Sequence, residues 1–237
     1  MEKEDAQGRL FIICTPIGNL EDMTFRAVRI LGSLDALACE DTRQTRKIFD
    51  RYEIPRPNNI FSYHEHNAEK AGKQILAFLK QGNCVGLCSD AGYPGISDPG
   101  YRIISTSLEE GYSVEVIPGP GAVSIALVSS GLSTASYTFK GFPPSKSGQR
   151  KKFLEAEKES LHTLVFFESP YRINRFLSDA YQVLGNRKAA VCVELTKKFE
   201  RVHRAFLKDL SEDFEQRKTK GEITVVISGN NPKFIKE

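Results

Sequence analysis

The chain has 237 residues, 40% of them hydrophobic and 27% charged, with 18 Gly and 11 Pro. These fractions are ordinary for a globular protein and exclude a disordered, collagen-like or coiled-coil chain. The net charge of +3 is too small for a nucleic-acid coat protein, yet it permits an enzyme that meets RNA through a local patch.

Residues 1–9 are polar and include acidic side chains, unlike a secretory signal or transit peptide. No apolar run approaches the ~20 residues that span a bilayer. A soluble, cytoplasmic protein is expected. Its first strand is expected at residues 10–14, running into Thr15-Pro-Ile-Gly-Asn19, with a helix carrying Phe25, Val28 and Leu31 on one face. A second strand at 36–39 runs into Glu40-Asp-Thr-Arg43, where a helix begins. A third, at 60–63, meets His64-Glu-His-Asn67, ahead of a helix with Ala68, Ala71, Ile75, Phe78 and Leu79 at helical spacing. A fourth, at 84–89, meets Ser89-Asp-Ala-Gly-Tyr-Pro-Gly-Ile-Ser-Asp-Pro-Gly100, and a fifth, at 114–117, meets Pro118-Gly-Pro-Gly-Ala122. Short Val/Ile-rich strands separated by amphipathic helices read as βαβ units and a largely parallel sheet.

The texture changes after Gly131. Strands are expected at 137–142, 163–168, 189–195, 202–207 and 223–228. No helix fits between 189–195 and 202–207, so that pair should be antiparallel. The predicted fold is α/β with two α/β domains, residues 1–118 with a mostly parallel sheet and 119–237 with a mixed one. The polar end of the chain, from Asn230, should fray. Five cysteines, none in a Cys-x-x-Cys pair and all in or beside apolar runs, argue against a disulfide framework or structural zinc.

Ligands of open α/β sheets sit outside the carboxyl ends of the strands, and here five such ends carry Gly, Pro, Asp, Glu, His and Arg. Any one of these loops is explained by turns and caps; five together point to a binding edge. Asp90 ends a buried run and fits a ligand contact, whereas Asp98 before Pro99 fits a capping carboxylate. There is no Gly-x-x-x-x-Gly-Lys-Ser/Thr, no Gly-x-Gly-x-x-Gly after the first strand, and no lysine in any of the five loops. A ligand without a phosphate chain is expected. On an extended strand His64 and His66 would face one side, and Glu40, Asp41 or Asp90 would complete a metal site; polar substrate contacts explain them better, and no metal is expected. Arg43, Arg46 and Lys47 share a helical face suited to RNA phosphates. Lys140, Lys146, Arg150, Lys151 and Lys152 make a second cationic patch.

These loops, with Ser130-Gly131, Phe167-Glu-Ser-Pro-Tyr-Arg172, Glu194-Leu-Thr-Lys197, Phe199-Glu200 and Lys220-Gly-Glu222, occur in order over about residues 10–229. The chain thereby resembles the bacterial small-subunit ribosomal RNA cytidine 2′-O-ribose methyltransferases of the tetrapyrrole-methylase superfamily. The resemblance implies two α/β domains with S-adenosylmethionine in the cleft between them, a homodimer, and as partner 16S rRNA in the small ribosomal subunit, methylated on a cytidine ribose of the decoding region. It implies cofactor contacts at Pro16, Ile17, Asp90, Tyr93, Ile96, Gly121 and Ala122, and from the second domain at Phe167 and Leu195. Substrate contacts fall on Arg43, Arg46, Lys47 and His66. Location alone nominates Glu40, Asp41, His64 and Glu65 as the base that would take the proton of the ribose hydroxyl. Two departures stand out: the family usually has Ser where this chain has Gly121, and many members carry a helical extension after the second domain, whereas this sequence runs to Glu237.

Other readings remain open at this point: a tetrapyrrole or modified histidine as methyl acceptor, a metal-dependent phosphohydrolase built on Glu40, Asp41, His64, His66 and Asp90, and a ribosome-assembly binder without catalysis.

Overall fold

The computed structural model describes residues 8–236. The polar segment read above as neither signal nor transit peptide lies mostly outside the described residues. Two compact units follow one another, Met1–Gly121 and Ala122–Glu237.

In the first unit, β1 (Arg9–Ile13), β2 (Ala36–Cys39), β3 (Asn59–Ser62), β4 (Cys84–Cys88) and β5 (Ser113–Ile117) alternate with α1 (Phe25–Leu31), α2 (Thr42–Tyr52), α3 (Ala68–Lys80) and α4 (Tyr101–Glu109). The strands form one sheet in the order β3-β2-β4-β1-β5, every neighbouring pair parallel. Side chains alternate across a strand, so a sheet covered on both faces needs an unbroken apolar run. Phe11 and Ile13 accordingly pack on Ala27 and Leu31 of α1 and Ile48 and Phe49 of α2. Leu10 and Ile12 pack on Ala71, Ile75 and Leu79 of α3 and Ile103 of α4. Gly86, in the middle of β4, is dictated by this packing: a Cβ there would lie 2.4 Å from Leu34 and 2.9 Å from Leu37.

The second unit carries α5 (Ala122–Ser130), β6 (Tyr137–Phe139), α6 (Ser147–Glu155), β7 (Thr163–Glu168), α7 (Ile173–Leu184), β8 (Lys188–Val193), β9 (Arg201–Phe206), α8 (Leu207–Gln216) and β10 (Ile223–Ile227). The sheet order is β6-β7-β10-β8-β9, with β6 parallel to β7 and the remaining pairs antiparallel. Leu154 of α6, Phe176 and Leu177 of α7, and Leu210 and Phe214 of α8 cover Phe166, Val191 and Val225 on one face. The apolar α5 lies against β8, β9 and β10.

Three expectations change. The strand expected at 137–142 stops at Phe139, because Gly141 turns at φ 63 and two prolines without amide donors follow. The strand expected at 189–195 ends at Val193, because Glu194 takes a left-handed φ of 53. The chain end is held rather than frayed: Ile235 bridges to Arg187 and the Lys236 amide donates to the Asn186 carbonyl at 3.0 Å. Among the described residues no helix is long and apolar enough to cross a membrane.

Candidate functional site

The order of strands decides where the first unit can hold a ligand. α1 leaves β1 toward one face of the sheet and α4 leaves β4 toward the other, although β1 and β4 are neighbours. The same divergence separates α2 from α4 behind the adjacent strands β2 and β4. Loops that part in this way open a crevice at the carboxyl ends, which is the usual ligand position in such sheets. The loop after β4 lies at both partings, and it begins with Ser89-Asp90.

The five loops are laced together in the order of the sheet. The Cys14 thiol donates to the Pro120 carbonyl at 3.0 Å, joining the ends of β1 and β5. Thr15 and Gly92 exchange two backbone hydrogen bonds of 3.0 Å, and the Thr15 hydroxyl donates to the Ser89 carbonyl at 3.1 Å, joining β1 to β4. The Asp41 amide donates to the Asp90 carboxylate at 2.9 Å, and the Asp90 amide to the Glu40 carboxylate at 3.4 Å, joining β4 to β2. The Tyr63 amide donates to the Cys39 carbonyl at 2.8 Å, joining β2 to β3.

Within this frame Pro16 and Ile17 are buried, and Ile17 lies against Gly92. Tyr93 spans to the β5 loop: its hydroxyl accepts from the Gly119 amide at 3.1 Å and donates to the Gly119 carbonyl at 3.2 Å. Ile96 is half exposed, and Gly121 leads directly into α5 at Ala122. Asp98, read as a cap, stands two residues before the residue that caps α4, which is Gly100.

Electrostatically the rim is acidic, with Arg43 its ion-paired cation. Asp41 caps α2 by accepting from the Arg43 amide at 2.8 Å, and it grips the Arg43 guanidinium at 2.7 and 3.0 Å. The hydrogen bonds from Arg43 hold the Asp41 acid down at about 2. Desolvation raises that of Asp90 above the ordinary aspartate value. Burial pushes the Cys14 thiol up to about 12, so it is no nucleophile.

His64-Glu65-His66 departs from the expected extended strand. These residues form a turn between β3 and α3, fixed by the Asn67 side chain, which accepts from the His64 amide at 2.8 Å and donates to the Ser62 carbonyl. The two imidazole rings still meet, centroids 6.0 Å apart, and His64 Nδ1 is buried without a partner. Glu65 and His66 are exposed. Among the described residues no three His, Cys, Asp or Glu side chains converge as a metal site.

The cationic face of α2 is present: Arg43, Arg46 and Lys47 are all exposed, with Lys47 donating to the Gln44 side-chain carbonyl. The second expected patch is reduced, three of its five cations being engaged by carboxylates. Arg150 is 1% exposed and binds Asp179 at 2.6 Å and the carbonyls of Pro144 and Ser145. Lys140 pairs with Glu157 and Lys151 with Asp179. Lys146 and Lys152 stay exposed; spacing alone cannot tell a basic patch from side chains engaged by Asp179 of α7 and by Glu157 after α6.

In the second unit, Phe167 packs edge-on against Phe139 at 4.8 Å between ring centroids and against the half-exposed Phe142 at 5.6 Å. Leu195 is buried, between two residues of positive φ, Glu194 and Thr196. Beside Phe167, Glu168 is buried and paired with Arg172 at 2.6 Å; burial raises its acid. A cavity of about 440 Å³ by Asp35, Arg56, Asn59 and Gln81 opens at the amino ends of the first unit's strands, the edge opposite the five loops.

The pattern of the tetrapyrrole (corrin/porphyrin) methylases matches residues 9–211. The protein called Ribosomal RNA small subunit methyltransferase I in Halalkalibacterium halodurans is 43% identical over 236 residues, covering 100% of this chain and 81% of its own. Its namesake in Thermotoga maritima is 40% identical, covering 94% of this chain and 99% of its own. Among solved structures, that of cobalt precorrin-4 methyltransferase, a cobalamin biosynthetic enzyme, superposes with a TM-score of 0.70 over 96% of this chain and 97% of its own. At 14% identity that likeness speaks for the fold alone.

Proposed function

Because the chain belongs to the tetrapyrrole (corrin/porphyrin) methylase family, we propose that it is an S-adenosylmethionine-dependent methyltransferase that modifies the 2′-hydroxyl of a cytidine ribose in the decoding region of 16S rRNA, acting on the small ribosomal subunit. The observation that carries this reading is the likeness, at 40–43% identity over more than nine-tenths of the chain, to proteins named as small-subunit ribosomal RNA methyltransferases.

The rim of the first unit suits the cofactor chemically. S-adenosylmethionine, when bound, supplies an electrophilic methyl group on a sulfonium cation. Loops without lysine, carrying Glu40, Asp41 and Asp90, favour such a cation. The backbone of the 15–19, 89–96 and 118–122 segments offers amides and carbonyls with little side chain in the way. Asp90, Pro16, Ile17, Tyr93, Ile96, Gly121 and Ala122 are the proposed contacts, and the resemblance adds Phe167 and Leu195. Methyl transfer is an in-line displacement, so alignment of oxygen, methyl and sulfur does much of the work and no covalent intermediate is required.

Proton removal from the ribose hydroxyl falls to Glu40, His64 or Glu65. Asp41 is set aside as the base: its carboxylate is occupied by Arg43, and an acid near 2 is a weak proton acceptor at neutral pH. Arg43, Arg46, Lys47 and His66 are proposed to hold the RNA strand. The active species is proposed to be a homodimer.

Two experiments test the reading. Calorimetry should show micromolar binding of S-adenosylmethionine without divalent metal. Tritiated methyl should pass to small ribosomal subunits that lack this modification and not to fully modified ones. Transfer to a corrin-type tetrapyrrole in place of the subunit would remove the RNA reading and keep the methyltransferase.

A further inference from the structure

The second unit carries a surface cavity of about 420 Å³ that none of the residues proposed for methyl transfer enters. It opens beside the free edge of the sheet, where β9 is the last strand, and is walled by Arg201 and His203 of β9 and by the segment after α8, Arg217 to Lys220. Four of its lining side chains are cationic: Arg201, Arg217, Lys218 and Lys220, all exposed. The carboxylates beside it, Asp213, Glu194, Glu200 and Glu222, are engaged, Glu222 with Lys197 at 3.1 Å. Asp213 holds Arg217 at 2.8 Å, and Glu194 accepts from Lys197 at 2.8 Å and from the Glu222 amide at 2.9 Å.

Phe214 closes the floor, fully buried, with the His203 ring edge-on to it at 5.3 Å. Burial is the main reason the His203 pKa is lowered; Arg217 and Arg201 add to the shift and Asp213 opposes it. At the mouth stands Phe199, 69% exposed, with the Lys198 ammonium 5.7 Å from its ring. The loop that presents it is nonetheless firmly tied down. Glu194 and Thr196 both adopt left-handed backbone at φ 53 and 64, the Thr196 amide donates to Glu200 at 2.6 Å, and Thr196 Oγ1 is buried without a partner. Strained backbone held in place by several hydrogen bonds, under an exposed aromatic ring, is a feature of ligand clamps.

We propose that this pocket is a docking site for single-stranded RNA, seating one nucleotide with its base stacked on Phe199 and the flanking phosphates on Arg201, Lys218 and Lys220. The chemistry is that of sequence-tolerant single-strand binding, in which an aromatic platform takes the base and a ring of cations follows the backbone. The proposal rests on the reading that the substrate is RNA, and it adds a contact for the strand made by residues other than those proposed for methyl transfer.

The test compares the full chain with Lys218→Ala/Lys220→Ala and with Phe199→Ala. Both variants change exposed side chains, so folding is preserved. The probe is a fluorescein-labelled single-stranded oligocytidylate, titrated by anisotropy at several salt concentrations, alongside methyl transfer to small subunits. The double lysine variant should lower the slope of log affinity against log salt by about 0.7 for each phosphate that is no longer neutralised. Phe199→Ala should weaken binding about ten-fold. Both should raise KM for the subunit while leaving kcat and S-adenosylmethionine affinity unchanged. RNA affinity and salt slope equal to those of the unaltered chain would overturn the proposal while the methyltransferase reading stands. Failure of the unaltered chain to bind the probe would overturn the proposal, and failure to methylate small subunits as well would overturn both. Loss of subunit binding with normal RNA binding would also overturn it, assigning the pocket to an acidic protein segment.

Discussion

The Asp41 amide donates to the Asp90 carboxylate at 2.9 Å, so the cap of α2 and the loop after β4 are one hydrogen-bonded unit. Asp90 thereby both positions the β2 loop and presents negative charge at the crevice between diverging helices. Asp90→Ala removes both and leaves the Asp41 amide without its acceptor. S-adenosylmethionine affinity is expected to fall about ten-fold or more, in keeping with the ~1.5–3 kcal/mol of hydrogen bonds to charged groups. Asp90→Asn, which keeps an acceptor, should lose less. Isothermal calorimetry measures both, and an unchanged affinity in Asp90→Ala would remove Asp90 from the cofactor site.

The same pair predicts a pH dependence. Asp90 is raised, so its ionised form is disfavoured in the fold; any stability it contributes is present at low pH and lost as pH rises through its folded value. Asp41 is depressed to about 2, so its contribution is present above the ordinary aspartate range and lost only as pH falls through about 2. In the proposed site the ionised form of Asp90 would hold the cofactor's cation better than the neutral acid. On acidification, affinity should therefore decline at a pH above the ordinary aspartate value of ~3.9, while the Asp41 cap of α2 remains intact. In Asp90→Asn that inflection should vanish, as calorimetry across the acid range will show.

Arg43 is paired with Asp41, yet its side chain is 84% exposed, so solvent screens the pair and it adds little to stability. Arg43→Ala should leave the melting temperature nearly unchanged. If the guanidinium meets an RNA phosphate, the salt slope of subunit binding should fall by about 0.7–0.9.

Arg150 is a structural residue of the second unit. Its guanidinium and the Asp179 carboxylate are both buried, so Arg150→Ala leaves that carboxylate to the Ser147 hydroxyl and the longer Lys151 pair and should cost about 3 kcal/mol in urea unfolding. Replacing both partners by apolar residues, Arg150→Met with Asp179→Leu, should recover most of that loss. A mild effect of Arg150→Ala on stability, with strong loss of RNA binding, would restore it to the cationic patch.

Gly221 sits at φ 88, and a Cβ there would lie 2.2 Å from the Glu194 carboxylate. Gly221→Ala should destabilise by more than ~1 kcal/mol, the ordinary penalty of an alanine at positive φ, because the Glu194–Lys197–Glu222 bridge must also move. Thermal unfolding measures it.

Much of the architecture was legible from local pattern. Ala36–Cys39 and Thr163–Glu168 coincide with the strands expected from apolar runs, and the close spacing of β8 and β9 required an antiparallel pair. The chemistry of the five strand-end loops was equally visible. Less legible were features that depend on what stands opposite. Arg150 reads as basic surface until Asp179 of α7 is brought to it. His64 and His66 read as an extended pair until Asn67 folds them into a turn. The cavity under Phe199 joins residues from β9 and from beyond α8, and no spacing rule links those segments.

The sequence by itself determined the alternation of strands and helices, the double-faced burial of the first sheet and the residues available at its carboxyl edge, because periods of 2.0 and 3.6 and the turn residues act over a few positions. Tertiary structure alone decided that β4 lies between β2 and β1, and hence that Asp90 meets Asp41 and that Thr15 meets Gly92. Strand order is set by long-range packing of helices on opposite faces, and the partner of a charged side chain is whatever that packing places within hydrogen-bond reach.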